Sequence, residues 1–391
     1  MNNYYLLVKR SLIFLLILSC IDPSKPEYNY IDGLINIDAF AATEVGVSYV
    51  VIQRSRVSDG RSNNVKIENA QVLFVNSITG EHVSLKWEGN DYRPPATFKV
   101  LVGETWQVEI VLPDGGTYVS SPETVLPTVP IKNVEMYYDT NLVYQESNDD
   151  FVPGHELQVN FDDPLEEKNF YMWRFRSYER LKFCSYCENS ISRDGECVPP
   201  PSEKIGRLKR YYDYYCDSNC WQIRRNENIR IFSDEFSNGL SLTNVSAAQV
   251  LLYTKENILV DLQQYSISEE AYKYYNIIQD IIENNGSLNA PPPAAFMGNF
   301  RNSKEEEYVL GRFTAAAATT YQIFINREEI KESPLETFHP VLLEECSEVC
   351  GTCEVSGEEC DCCVCSPCQM TSAPCKETSS RTGIKPEGWI D

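Results

Sequence analysis

The chain has 391 residues, 34 Lys and Arg against 57 Asp and Glu, and a formal net charge of −23. That balance repels phosphate backbones, whose binding needs clustered cations to displace counterions, and so excludes nucleic acid as a partner. At 42% hydrophobic and 12% aromatic residues there is apolar side chain enough for more than one core, which excludes disorder throughout, and the length suits two or three domains.

The N-terminus addresses the chain. Lys9 and Arg10 precede the apolar run Leu12–Leu18, and Ser19-Cys20 follows. The run is too short to span a bilayer as a helix and has the layout of a signal peptide. It ends in Ile17-Leu18-Ser19-Cys20, which resembles a bacterial lipobox, where an ordinary cleavage site has small residues in an A-x-A arrangement. A lipoprotein signal peptide over 1–19 is therefore expected, with Cys20 as the new, lipidated N-terminus. Several acyl chains at about 0.8 kcal/mol per buried CH₂ make a durable anchor. Residues 20–29, with Pro23 and Pro26, form the lipidated tether, and no later stretch approaches transmembrane length.

From 30 to 128 the pattern is of short strands. Ala70-Gln71-Val72-Leu73-Phe74-Val75 is rich in β-formers, turns at Ser77-Ile78-Thr79-Gly80, and returns as His82–Trp87. Trp106–Leu112 alternates in part, turns at Pro113-Asp114-Gly115-Gly116 and returns as Thr117–Ser120. Strands punctuated by Gly, Asn and Asp predict an Ig-like antiparallel β-sandwich, and Pro122, Pro127 and Pro130 mark its end.

A second β-rich domain is expected over 129–343. Glu156–Phe161, Phe170–Phe175, Ala248–Tyr253, Ile258–Leu262, Glu307–Phe313 and Thr320–Ile325 read as its strands. Residues 177–230 break the pattern with five cysteines, Pro199-Pro200-Pro201 and a basic stretch, and read as an insertion. One helix is predicted over 268–285: Ser266 and Glu269 have capping-box spacing, Ala271, Tyr275, Ile278 and Ile282 recur at helical intervals, and Asn284-Asn285-Gly286 stops the run. Its aromatic stripe suits packing on a sheet better than binding a sugar or cofactor. The expected fold class is thus mainly β: two tandem antiparallel sandwich-like domains, the second carrying a helix and a Cys-rich insertion, followed by a disulfide-rich tail over 344–391.

After Cys20, fourteen cysteines remain: Cys184, Cys187, Cys197, Cys216 and Cys220 in mid-chain, and Cys346, Cys350, Cys353, Cys360, Cys362, Cys363, Cys365, Cys368 and Cys375 in the tail. Both groups are odd in number, so full pairing demands at least one disulfide between them, clamping tail to body. Cys184-x2-Cys187, Cys350-x2-Cys353 and Cys365-x2-Cys368 also have zinc-ligand spacing. Export into an oxidising compartment favours disulfides, with connectivity open.

Catalytic signatures are missing. There is no G-x-S-x-G, no phosphate-cradling loop and no dinucleotide fingerprint, and His82, His155 and His339 stand in no ligand spacing, so neither an enzyme, a metal nor a cofactor is expected. Asp162-Asp163, Glu166-Glu167 and Glu305-Glu306-Glu307 are acids of the kind a glycosidase or a calcium site uses, but such pairs are common on the solvated face of an acidic chain. The candidate partner-binding residues are Tyr211, Tyr212, Tyr214, Tyr215, Trp221, Arg224 and Arg225, because Tyr, Trp and Arg dominate interface hot spots. The same residues would serve equally as cover for the core of the second domain.

The order of features carries a resemblance. The lipobox and tether are followed by Ala70-x-Val72-x-Phe74, Thr79-Gly80-Glu81, Gly103-x2-Trp106-x-Val108-x-Ile110, Asp114-Gly115-x2-Tyr118-x-Ser120-x-Pro122 and Tyr171-x-Trp173. Then come Tyr265–Tyr272, Pro291–Pro293, Gly298-Asn299-Phe300, Leu310–Ala315 and Lys385-Pro386-Glu387-Gly388-Trp389. Together these resemble an uncharacterised, domain-of-unknown-function family of Bacteroidota outer-membrane lipoproteins encoded beside TonB-dependent receptors. The resemblance implies an outer-membrane, surface-exposed, lipid-anchored accessory or ligand-capture subunit partnered with such a receptor. A stand-alone surface binder or adhesin is the alternative.

Overall fold

The computed structural model describes residues 31–58, 61–145, 149–165, 167–181, 186–188, 191–193, 196–198, 210–212, 219–226, 229–284, 298–302, 308–335, 375, 377–378 and 380–391. The described chain is mainly β, as expected, with one helix.

Strands β1 (Ile35–Ala42) and β2 (Tyr49–Ser58) pair antiparallel, and β3 (Arg61–Lys66) adds to the other side of β2. There follow β4 (Gln71–Asn76), β5 (His82–Trp87), β6 (Tyr92–Arg93), β7 (Thr105–Val111), β8 (Thr117–Ser120) and β9 (Glu123–Thr124). Here β4 lies between β5 and β7, with β8 and β9 on the far side of β7. Alternation drives the layering: Trp106, Val108 and Ile110 of β7 are buried while Gln107 and Glu109 are not, and Ile35, Ile37 and Ala39 of β1 meet them in one core. The predicted turn at 77–80 is present, with the Asn76 Oδ1 accepting the Ile78 and Thr79 amides at 3.0 Å each and Gly80 at φ +73°.

The chain then forms β10 (Ile131–Gln145), β11 (Asp150–Asp162) and β12 (Phe170–Arg180), and the short strands β13 (Tyr186–Glu188), β14 (Ile191–Arg193), β15 (Glu196–Val198) and β16 (Arg210–Tyr212). After these come β17 (Trp221–Arg225), β18 (Arg230–Ser233), β19 (Ser241–Leu251), β20 (Ile258–Ser266), the helix α1 (Glu269–Asn284), β21 (Phe300–Asn302), β22 (Val309–Leu310), β23 (Phe313–Ile325) and β24 (Arg381–Thr382). A three-stranded sheet β10-β11-β19 packs on β12, β20 and the second half of β23 around Leu157, Phe161, Tyr171, Trp173, Val260 and Leu262. This is the second sandwich-like pair of layers.

The structure differs from the expected layout in four places. The insertion is shorter than 177–230, because residues 177–180 continue β12, while β17 and β18 both pair antiparallel with it. The helix starts at Glu269, and its N-cap is Ser268, whose Oγ accepts the Ala271 amide at 3.2 Å; Ser266 ends β20 instead. The two halves share a sheet: β22 and the start of β23 run parallel to β1, while the rest of β23 pairs with β20. Finally, β21 pairs with β8, so Phe300, Val309, Phe313 and Ala315 belong to the first core rather than the second.

The disulfide expected between the two cysteine groups is Cys220–Cys375, spanning 155 residues. It brings β24 onto β17 and lays Trp389 on Trp221 and Phe324, with ring centroids at 5.9 and 5.6 Å.

Candidate functional site

Alternation on β12 creates two chemically different faces. Tyr171, Trp173 and Phe175 enter the second core, whereas Arg174 and Arg176 point the other way, beside Gln263 of β20 and Asn36 and Asp38 of β1. The helix α1 crosses above this face, held by Ala271, Tyr274 and Tyr275 packing on Phe40, Met172 and Tyr265. Between helix and sheet lies a cleft of about 710 Å³. Its sheet side carries Asp38, Tyr49, Arg174, Arg176, Arg225 and, from the edge, Asp91 and Arg93; its helix side carries Tyr274, Tyr275, Ile278, Ile281 and Ile282.

Each sheet-side charge is braced. The Arg174 guanidinium lies 4.2 Å from the Phe40 ring centroid and donates to the Tyr49 hydroxyl at 3.5 Å. That hydroxyl donates to Asp38 at 2.9 Å. Asp38 keeps access to water from within the cleft, yet the protein around it raises its carboxyl above the ordinary range, with Arg174 and then Tyr49 opposing the shift. Arg93 grips Asp91 bidentately, through Nε at 2.8 Å and a terminal nitrogen, and lies over the Tyr49 ring at 5.6 Å. Arg176 donates to Asp261 at 3.0 Å. Arg225 is held below its usual value by burial first and then by the positive charges of Arg93 and Arg176, with Asp91 and Tyr178 pulling the other way. The cleft therefore gathers four arginines against two aspartates in a strongly acidic chain.

The predicted partner residues separate. Trp221 is 1% exposed and packs with Leu259 and Trp389, so burial takes it out of any contact surface. Arg224 is also drawn inward: it donates to Glu179 at 3.3 Å, and Glu179 in turn accepts from the fully buried Arg327 at 2.7 Å. Its guanidinium lies 4.2 Å from the Tyr253 ring centroid. Strand pairing explains both placements, since β17 puts Trp221 and Arg225 on one face, where Trp389 covers Trp221, and Arg224 on the other, toward Glu179 and Arg327. Among the described side chains of this set, Arg225 is the one that lines the cleft. Tyr211 and Tyr212 lie in β16, while Tyr214 and Tyr215 are outside the described residues.

Cys187 and Cys197 lie in β13 and β15. Cys20, Cys184, Cys216, Cys346, Cys350, Cys353, Cys360, Cys362, Cys363, Cys365 and Cys368 fall outside the described residues. Among the described residues no three His, Cys, Asp or Glu gather as for a metal ion, and no helix is long and apolar enough to cross a membrane. Of the acids noted in the sequence, Asp162 pairs with Lys132 at 2.6 Å, Asp163 accepts from the Tyr171 hydroxyl and, at 2.8 Å, from the Gly239 amide, and Glu166, Glu305, Glu306 and Glu307 lie outside the described residues. The Asn169 amide group donates to the backbone carbonyls of Pro164 and Glu167.

The model of a family described as a domain of unknown function, DUF4249, matches residues 21–322. The chain belongs to the DUF4249 family. No curated protein matches it. The DUF4249 match covers both sandwiches, the helix and the cleft, and it stops inside β23, so the cysteine-rich tail lies beyond it. Two of the sequence motifs, Gly298-Asn299-Phe300 and Leu310–Ala315, fall on the joint of this DUF4249 fold. A Cβ on Gly298 would meet the Gly311 carbonyl oxygen at 1.4 Å, and one on Gly311 would meet that of Ile37 at 1.9 Å, so both glycines are needed for three backbones to touch. Beside them Arg312 pairs with Glu123 and donates to Ser268 at 3.2 Å, tying the first sandwich to the start of α1.

Arg93, Arg174 and Arg176 were not singled out in the sequence. The available signal was Arg174 and Arg176 two apart at the end of the aromatic stretch Phe170–Arg176, which on a strand puts two cations on one face.

Proposed function

We propose that this DUF4249 protein is an outer-membrane lipoprotein, anchored at the cell surface through Cys20, that captures a ligand as an accessory subunit of a TonB-dependent receptor. The observation that carries the capturing role is the cleft under α1, whose volume suits a small ligand. Its arginines are pre-positioned on aromatic rings and carboxylates, so little ordering is left for binding to accomplish. Binding is favoured over catalysis because Asp38 already accepts from Tyr49 and Asp91 is held by Arg93, leaving no idle carboxylate pair there. The anchor rests on the lipobox, and the receptor on family resemblance. A protein partner is supported further by exposed aromatic side chains on the β10–β11 hairpin, where Tyr137, Tyr144 and Phe151 are each about half exposed.

The test is a mild-detergent pull-down of the tagged, lipidated protein from its native membrane, with mass spectrometry of the co-purifying proteins and a Cys20→Ala control. Stoichiometric recovery of a TonB-dependent barrel with the wild type, and loss of membrane retention in the control, is the expected result. A surface-exposed protein recovered alone would replace this reading with the stand-alone binder.

A further inference from the structure

We infer that the cleft takes a small amphipathic organic anion, its carboxylate or phosphate against the arginines of the sheet and its apolar part along α1. This deepens the capture reading and rests on it.

The two sides of the cleft differ in chemistry. The helix side, Tyr274, Tyr275, Ile278, Ile281 and Ile282, carries no charge, and the isoleucines extend its apolar surface past the tyrosines. Across from it stand Arg93, Arg174, Arg176 and Arg225 with Asp38 and Asp91, while Asp261 pairs with Arg176 from beside the cleft, an arginine-rich lining within a chain of net charge −23. A ligand without charge would leave this cationic side merely hydrated, a cation would be repelled, and a small inorganic anion would leave the isoleucines in water. Only a molecule with both an anionic head and an apolar body matches the two sides at once.

Arg174 is the best-placed head-group donor. Phe40 supports one face of its guanidinium, and the hydrogen bond it makes among the described residues, to Tyr49, is long, so the remaining N–H edge is available to a ligand in the cleft. Arg176 has its Asp261 bond and a buried Nε without a partner among the described residues. An anion here would also relieve the mutual repulsion of Arg93, Arg176 and Arg225, which already weighs on Arg225. The volume of about 710 Å³ accommodates a chain or ring system with its head group.

The experiment is calorimetric titration of the mature chain, residues 20–391, carrying Cys20→Ser so that no acyl chain of its own competes for the cleft. The probes are decanoate, decyl phosphate, decanol and acetate, all below micellar concentration. Decanoate or decyl phosphate is expected to bind at least about tenfold more tightly than decanol and acetate, and the better of the two anions identifies the head group. Added salt should weaken the anions and spare decanol. Arg174→Gln and Arg176→Gln should each lose about tenfold for the anions with decanol unchanged, Arg174→Lys, which keeps the charge but not the planar fork stacked on Phe40, should lose less than Arg174→Gln, and Ile281→Gln should weaken anion and alcohol alike. Melting curves of the free variants identify any that fail to fold, in which case the Lys and Ile281 variants still decide. Decanol binding as tightly as decanoate, anion binding indifferent to both arginines, or no binding by any probe would each overturn the inference. A barrel recovered in the membrane pull-down despite such a result would leave the accessory role standing and refute only the ligand class.

Discussion

His155 shows how one side chain couples this fold to pH. It is 3% exposed, with Nδ1 lacking a partner among the described residues, the Tyr138 ring at 5.1 Å and Arg327 nearby. Burial, and then the positive charge of Arg327, lower its pKa from 6.5 to about 4. The folded state thus stays unprotonated where the unfolded chain takes up a proton. Its contribution to stability is full above about 6.5 and is lost as pH falls toward 4, by about 3 kcal/mol if fully expressed. Asp163 and Glu123, whose carboxyls burial holds above their ordinary values, act in the opposite sense, so a raw acid limb does not isolate the histidine. Comparison of urea unfolding at pH 7 and pH 4.5 between the wild type and His155→Gln does. The variant is expected to lose clearly less stability across that interval; an equal loss would refute the assignment. The same residue scale explains why Trp221 and Arg224 are easily mistaken for an interface. Their residue types are those of hot spots, but their burial depends on β12, β24 and Arg327, partners distant in sequence that no local pattern displays.

At the scale of elements, what alternates or caps is readable and what crosses is not. The hairpins β4–β5 and β7–β8 follow from period-two patterning and turn residues, and α1 from its 3.6-residue period, because each signal lies within about ten residues of its partner. The parallel pairing of β1 with β22 and β23 joins residues about 270 apart, and the proline-marked boundary near 128 conceals it. Gly311 is where that crossing is most demanding. It sits at φ +96° with its Cα against the backbone of Ile37, so Gly311→Ala must both strain the dihedral and push two strands apart. Gly103 provides the control: at φ +86° it has nothing within 4 Å, so Gly103→Ala meets the dihedral cost alone, on the order of 1 kcal/mol. Denaturant midpoints should therefore show Gly311→Ala destabilised well beyond Gly103→Ala. Equal shifts would mean that the joint tolerates separation and that the shared sheet is not what unites the two sandwiches.

For the whole molecule, the arrangement of layers places the cleft at the meeting of everything else: sheet strands from both sandwiches make one side, α1 the other, and the Arg312–Glu123 pair fastens the helix start to the first sandwich. The tail is an outer addition to this body, beyond the family match, covering the face formed by Trp221, Leu259 and Phe324. Two kinds of attachment hold it. One is noncovalent: the β24–β17 pairing, Trp389 in its aromatic cluster, and the Gln322 side chain donating to the Glu387 carbonyl at 3.0 Å. The other is the Cys220–Cys375 disulfide, which closes a loop of 155 residues and so removes much freedom from the unfolded chain. If the bond acts chiefly in that way, Cys375→Ser should lower stability by about 2–5 kcal/mol while the folded tail stays docked. Near-UV circular dichroism of the Trp221–Trp389 pair, and resistance of the tail to limited proteolysis, should then resemble the wild type under native conditions. If the bond instead holds the tail against a weak noncovalent interface, the same variant should release the C-terminal residues to protease and lose the tryptophan signal with little change in the unfolding of the body. Trp389→Ala with the disulfide intact separates the two further: it removes the aromatic attachment and leaves the covalent one. In the first case it should expose the residues after Cys375 to protease where Cys375→Ser leaves them protected, and in the second it should leave those residues protected where Cys375→Ser releases them.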